Sequence, residues 1–284
     1  MNTPTIAMLG LGSMNGAILG GLLASGVRGE DVIATSRSAA SARRRAEQHG
    51  VTVLAEEDDA AANARAVASA DVVFLGVKPH GIVALCREIS DALKPGAIVV
   101  SVAAAVDLET MQAALPEGQP VIRSMPNTPL SVGIGVVGLV PGAHVTDAQT
   151  AQVKGLLQAC GAVHVIEEHQ IEALAGISGS GPAYVFYLAE HMAAAGVELG
   201  LDPALAADLA GHTVYGAGKM LVENHDAGTA SAADLRRAVC SPNGTTERAI
   251  AQLDEHSTAA AVVAAVKASA RRSRDMTAEL RKGV

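Results

Sequence analysis

Met8-Leu9-Gly10-Leu11-Gly12-Ser13-Met14 is the stretch on which the fold turns. An apolar run at 6–9 leads into two glycines one residue apart, and the residues after them read as the start of a helix. In that context glycine lets backbone N–H groups approach a pyrophosphate, and the helix N-terminus adds partial positive charge. The third glycine of the usual fingerprint is replaced by Asn15, with Gly16 following, so looser helix–strand packing is expected there.

Working outward, short aliphatic runs recur at 32–35, 51–54, 71–77, 97–102 and 121–124, separated by helix-like segments. This is the rhythm of βαβ units, and apolar runs without strict alternation suit strands covered on both faces. The expectation is a Rossmann-type, doubly wound, mostly parallel α/β sheet, with further strands near 134–140 and 163–166. After residue 168 strand-like runs stop. Ala-rich segments near 182–199, 203–223, 232–239, 245–254 and 258–281 predict an all-helical second domain. Pro182 and Pro203 stand where a first helical turn tolerates proline, and Gly200 and Gly244 mark breaks. The division is therefore 1–167, a dinucleotide-binding domain, and 168–284, an all-helical domain.

Composition narrows the functional classes. In 284 residues hydrophobics make up 49% but aromatics only 2%, so the cores must be built from Ala, Val, Leu and Ile. A net charge of −8 offers no footprint for nucleic acid, and no run reads as a membrane span or a signal peptide. Cys86, Cys160 and Cys240 form neither a disulfide framework nor a metal set and read as small core residues of a reducing, cytoplasmic compartment. The histidines show no metal spacing either, so no metal is expected.

The second strand ends in Ala34-Thr35-Ser36-Arg37-Ser38, where an NAD enzyme places an acid for the ribose 2′-hydroxyl. Here the hydroxyls of Thr35, Ser36 or Ser38 and the Arg37 guanidinium suit a 2′-phosphate, favouring NADPH over NADH. Val77-Lys78-Pro79-His80 closes the fourth strand, so Lys78 falls at the carboxyl end of the sheet, where such folds bind ligands. His80 reads as structural or exposed.

Four strings in order, Val77-Lys78-Pro79, Arg123-Ser124-Met125-Pro126-Asn127-Thr128-Pro129, Ser178-Gly179-Ser180-Gly181-Pro182-Ala183-Tyr184 and Ser241-Pro242-Asn243-Gly244-Thr245-Thr246, resemble pyrroline-5-carboxylate reductase. The resemblance covers nearly the whole chain. It implies that Leu9, Gly10, Leu11, Gly12, Ser13 and Met14, Ser36 and Arg37, Asn63, Gly76, Val77, Lys78 and Pro79, and Val102, Ala103 and Ala104 line an NADPH site, with Asn127 flanking the nicotinamide. It further implies that Ser241, Gly244, Thr245 and Thr246 hold a small imino-acid substrate, with Thr246 as the catalytic residue. The residues agree, since a Pro-Asn-Gly turn opening a helix exposes the amides of Gly244, Thr245 and Thr246 to a carboxylate.

Departures from the family are Arg237-Ala238 in place of Asp-Asn, Asn243 for the signature's first glycine, Cys240 for Thr or Ser, and a slightly lengthened stretch at 226–233. The implied reaction is hydride transfer to the cyclic imine 1-pyrroline-5-carboxylate, giving L-proline. Two readings compete: a β-hydroxyacid dehydrogenase of the same architecture with Lys219 as base, and a non-catalytic NADP-binding sensor. Helices apolar on more than one face, at 183–188 and 259–266, predict a homo-oligomer whose active sites borrow residues from a neighbouring subunit. The resemblance implies that 168–284 is a dimerisation and substrate-binding domain and that the oligomer is a dimer or a ring of dimers.

Overall fold

A computed structural model describes residues 4–282; the outermost ends of the expected domains, 1–3 and 283–284, lie outside the described residues. The strands are β1 (Ile6–Leu9), β2 (Val32–Ser36), β3 (Thr52–Ala55), β4 (Val72–Leu75), β5 (Ile98–Ser101), β6 (Val121–Pro126), β7 (Gly135–Pro141) and β8 (Gly161–Val165). They form one sheet in the order β3-β2-β1-β4-β5-β6-β7-β8. Every pairing is parallel except β6 with β7. The helices α1 (Ser13–Ala24), α2 (Ala39–His49), α3 (Ala62–Val67), α4 (Ile82–Ile89), α5 (Leu108–Gln112) and α6 (Asp147–Leu157) connect them. The doubly wound expectation holds, and each predicted strand lies within a few residues of an observed one.

Strand order puts alternate side chains into two separate apolar cores, one on each face. Met8, Phe74, Val100 and Ile122 fill one with α1 residues Ile18, Leu19 and Leu22. Ala7, Leu9, Val73, Leu75 and Val99 fill the other with Ile82, Leu85 and Ile89 of α4. Cys86 and Cys160 are buried as expected, and burial pushes the Cys86 thiol up to about 12, which leaves it an inert packing group. Cys240 is only partly covered.

The short helix α7 (Ile171–Leu174) runs into a π-helical turn, Ala175–Gly179, that no sequence pattern announces. Five helices follow: α8 (Gly181–Glu198), α9 (Pro203–Ala227), α10 (Ala232–Ala238), α11 (Thr245–Glu255) and α12 (Thr258–Lys282). Pro182 and Pro203 stand in first turns as predicted, Asp202 caps α9 by accepting from the Ala204 and Leu205 amides, and Gly200 breaks the chain at φ +97°.

Packing divides the chain into one unit reaching Gly179 and resuming at Ala268, and a second unit, Ser180–Lys267. The division comes later than the 167/168 boundary read from the sequence because α7 joins the sheet. Ile171 and Ala175 are buried, and Leu174 lies against β7 where a Cβ on Gly138 would meet it at 2.8 Å. Arg123, on β6 and only 2% exposed, donates to Glu168 Oε1 at 2.6 Å just before that helix. The end of α12 returns to the first unit through Leu280, partly buried against the core, and Arg281, which pairs with Asp107 and, at 3.0 Å, with Glu109.

Candidate functional site

At the carboxyl end of β1 the chain turns at Gly10 with φ +72°, a conformation that suits glycine. A Cβ there would stand 2.8 Å from Val77 Cγ1, so glycine is required by space as well. Contrary to the expected looseness, Asn15 packs this corner tightly. It is fully buried, its Nδ2 donates to Leu9 O at 3.1 Å, and a Cβ on Gly76 would lie 2.2 Å from that nitrogen. The amide fills the volume that an additional glycine would leave for close backbone approach, and ties the strand end to α1.

Around this turn lies a cavity of about 350 Å³ lined by Gly10, Leu11, Gly12, Ser36, Arg37, Ser38, Ser41, Glu56, Gly76, Val77 and Lys78. It brings together the turn, the end of β2 and the end of β4, as the strand order requires, since β2 and β4 flank β1. A second groove between α2 and β3, lined by Arg43, Asp58, Asp59 and Arg65, has none of these glycines. Gly12 has open space beside it, and Arg37 and Lys78 are exposed at the cavity. Open glycine backbone on one side, with hydroxyls and a guanidinium on the other, fits a dinucleotide bearing a 2′-phosphate.

Other expected cofactor residues are placed differently. Leu9 is buried within β1, Ser13 and Met14 open α1, and Pro79 begins the short turn Pro79–Gly81. Val102 and Ala103 are buried beyond β5, with Ala104 partly exposed. Thr35 is fully buried and so cannot offer its hydroxyl to a 2′-phosphate, because its side chain points under the turn instead of into the cavity. Asn63 is buried with it. Asn127 is also buried, its Oδ1 accepting from Val136 N at 2.8 Å and its Nδ2 donating to Ser178 O at 3.0 Å. It thereby ties the β6–β7 connection to the π-helical turn. Ser41 and Glu56 were missed by sequence reading. Ser41 falls one helical turn beyond Ser38, and that spacing could have found it; Glu56 gave no signal, since only the alignment of β3 beside β2 brings it to the cavity.

In the second unit, α11 starts at Thr245 with Gly244 in the preceding, extended conformation and without a side-chain cap. Asn243 sits at φ +60°, which asparagine tolerates. Gly244 N–H donates to Ser241 O at 2.9 Å, and a Cβ on Gly244 would meet Ser241 Oγ at 2.4 Å, so glycine is required. Glu247 Oε2 accepts from Asn243 N at 2.8 Å and closes the turn. Ser241, Gly244, Thr245 and Thr246 thus share one loop at a helix N-terminus, with Gly244 and Thr246 half-buried. Arg237, one of the departures, pairs with Asp234, which Ser231 holds in a capping box. The stretch at 226–233 holds the end of α9, Gly228 in a left-handed cap at φ +63°, and the start of α10. Lys219, the base in the competing dehydrogenase reading, is exposed on α9 and lies 3.6 Å from Glu223. Among the described residues no His, Cys, Asp and Glu cluster could hold a metal, and no helix is long and apolar enough to cross a membrane.

Comparison with known proteins places these features. Residues 168–276 match the family described as pyrroline-5-carboxylate reductase dimerisation, and residues 5–105 match NADP oxidoreductase, coenzyme F420-dependent. A pyrroline-5-carboxylate reductase of Pseudomonas aeruginosa is 39% identical over 281 residues, 99% of each chain. The solved structure of such a reductase from Coxiella burnetii is 34% identical, with a TM-score of 0.89 over 97% of this chain and 99% of that one. The Plasmodium falciparum pyrroline carboxylate reductase, solved with NADP bound, has the same fold at 23% identity, with a TM-score of 0.84 over 98% and 99% of the two chains.

Proposed function

The chain belongs to the pyrroline-5-carboxylate reductase family, and from that membership we infer an NADP-dependent oxidoreductase that reduces 1-pyrroline-5-carboxylate to L-proline, the last step of proline biosynthesis. The observation that carries the reading is the pairing of two built features, the glycine turn with its cavity and the uncapped loop at Ser241–Thr246. A sensor has no use for the second, and a hydroxyacid dehydrogenase needs a base that an exposed Lys219 beside Glu223 does not provide.

The Gly10–Gly12 backbone would hold the pyrophosphate, Ser36 and Arg37 the 2′-phosphate, and Lys78 the neighbouring face of the cavity. When bound, the reduced nicotinamide supplies a hydride. Gly244, Thr245 and Thr246 present amides to the substrate carboxylate, aided by the positive end of the α11 dipole. The Thr246 hydroxyl accepts a hydrogen bond from the protonated ring nitrogen, orienting the imine and holding its proton as the C=N electron pair settles on nitrogen. A protonated imine is already electrophilic, so positioning and electrostatics suffice without a strong general acid.

The helical unit, which includes most of the family's dimerisation segment, is the oligomerisation element. Phe186, Tyr187, Leu188, Tyr215 and Val222 are exposed there, an amount of apolar surface that stable monomers seldom leave uncovered. A second copy of the chain covers this face, rings of dimers extend it, and each active site borrows residues from a neighbouring subunit. The functional division falls at 167/168, where the matched dimerisation segment begins. Free, largely buried thiols suit a cytoplasmic enzyme. The deciding experiment is NADPH oxidation by the purified protein with 1-pyrroline-5-carboxylate. Proline formation is expected, whereas turnover of a β-hydroxy acid with inert imine would replace this reading by the dehydrogenase one.

A further inference from the structure

Beneath the glycine turn, four residues from four parts of the chain form one hydrogen-bonded line. Gly10 N–H donates to Thr35 Oγ1 at 3.1 Å, Thr35 Oγ1 donates to Asn63 Oδ1 at 2.7 Å, and Asn63 Nδ2 donates to Glu88 Oε1 at 3.0 Å. Its two central members are inaccessible, Thr35 at 0% and Asn63 at 3% exposure.

The direction of the line is set from its charged end. A carboxylate only accepts, so Glu88 must take an amide hydrogen of Asn63. The Asn63 carbonyl oxygen is then left facing Thr35, and because it too only accepts, Thr35 must spend its single hydroxyl proton on it. The lone pairs of Thr35 are thereby free for the Gly10 N–H. Its own carbonyl accepts from Leu11 N at 2.7 Å, so one residue grips two successive amides of the turn.

We propose that Glu88, acting through Asn63 and Thr35, is a positioning residue for the cofactor turn. From α4, outside the lining of the cavity, it sets the polarity of a buried relay that holds the Gly10–Gly12 backbone in the orientation NADPH needs. The proposal rests on the reading of this turn as the cofactor cradle. It gives Asn63 a role beneath the turn, made through one lone pair of its amide oxygen and one hydrogen of its amide nitrogen.

The test is NADPH binding to the full-length protein, followed by the fluorescence of the reduced nicotinamide without substrate. Glu88→Lys offers only donors, so the Asn63 amide must reverse, and Thr35, now receiving hydrogens from both Gly10 and Asn63, is left with no acceptor for its own hydroxyl proton. We expect Kd for NADPH to rise about fivefold or more, the loss of roughly one buried hydrogen bond. Glu88→Gln can present its oxygen and should stay within about twofold of wild type. In turnover, KM for NADPH should rise in Glu88→Lys while kcat at saturating cofactor changes less than about twofold. In a Thr35→Val background, Glu88→Lys should add less than about twofold, because its path to the turn has been cut. Should Glu88→Lys fail to fold, Glu88→Arg, which likewise offers only donors, is measured in its place with the same expectation.

Unchanged affinity in the Glu88 variant overturns the relay, as does an undiminished effect in the Thr35→Val background. An Asn63→Ala effect that multiplies fully with that of Thr35→Val shows that Asn63 does not act through Thr35 and overturns it as well. Wild-type protein that binds no NADPH removes the cradle reading and the relay together, whereas tight wild-type binding with an indifferent Glu88 variant removes the relay alone.

Discussion

The chain has two phenylalanines, one in each packing unit, and their surroundings are opposite. Phe74, on β4, is wholly buried, while Phe186, on α8, is 65% exposed. The difference extends to the units themselves. The sheet unit closes two cores of Val, Ile, Leu and Ala, whereas among the described residues of the helical unit only Ala206 and Ala210 are buried. Similar residue types thus build a self-sufficient core in one region and an open apolar face in the other. A sheet covered by helices encloses its side chains from both faces. A few helices apolar on more than one face have no such cover, and under the proposed oligomerisation a second copy supplies it.

Substitution at each phenylalanine should give opposite signatures. Phe74→Ala is expected to cost about 3–5 kcal/mol, as large truncations in closed cores do, and to lower the thermal midpoint equally at every protein concentration. Phe186→Glu is expected instead to act through association, giving a single-chain mass by light scattering, NADPH affinity close to wild type and little turnover. A Phe186→Glu protein that keeps its oligomeric mass and full activity would show that the exposed face is not the interface.

The functional residues divide in the same way, which gives smaller effects. Thr246→Ala is expected to lower kcat/KM for the imine roughly tenfold or more with NADPH affinity unchanged, since the role proposed for its loop is to hold substrate and not cofactor. Near wild-type turnover would remove Thr246 from the chemical step. In the sheet unit, Arg37→Ala should lower the preference for NADPH over NADH by roughly tenfold, the loss of a charge-assisted contact to the 2′-phosphate, with NADH affinity little altered. An unchanged ratio of the two dissociation constants would show that Ser36, Ser38 and Ser41 suffice.

The smallest effect concerns acid. Burial pushes the Asp107 carboxyl up, but the Thr110 amide and the Arg281 guanidinium together outweigh it and hold the group below the usual carboxylate range. A depressed folded value means that the carboxylate's stabilisation is present above its unfolded value and is lost as pH falls through the folded one. Asp107→Asn should therefore flatten the fall in thermal midpoint on the acid side, measured from neutral pH downward. An identical slope in wild type and variant would exclude this clasp between α5 and the end of α12 as an acid-labile contact.

Much of the site was legible because it depends on local constraints. Gly10 and Gly12 were identifiable from spacing alone, and Gly10 does adopt the positive φ that only glycine accepts readily. Ser36 and Arg37 were legible as the absence of an acid at a strand end, and Gly244 as the break before a helix. Thr35 was misplaced by the same reading, because residue type does not tell whether a hydroxyl faces a cavity or the underside of a turn. Nothing local distinguishes Glu88 from any solvated glutamate on a helix, and its contact with Asn63 spans 25 residues of sequence.

Sequence by itself determined the βαβ rhythm, the glycine turn, the helical second half and the family signature at Ser241–Thr246, all of which follow from periodicity, backbone permissiveness and short-range spacing. Tertiary structure alone decided that Asn15 fills the corner beside Gly76, that α7 joins the sheet unit, and that Glu56 comes to the cofactor cavity. These depend on the strand order β3-β2-β1-β4 and on which side chains it leaves facing one another, and residues distant in the chain meet only after the sheet has formed.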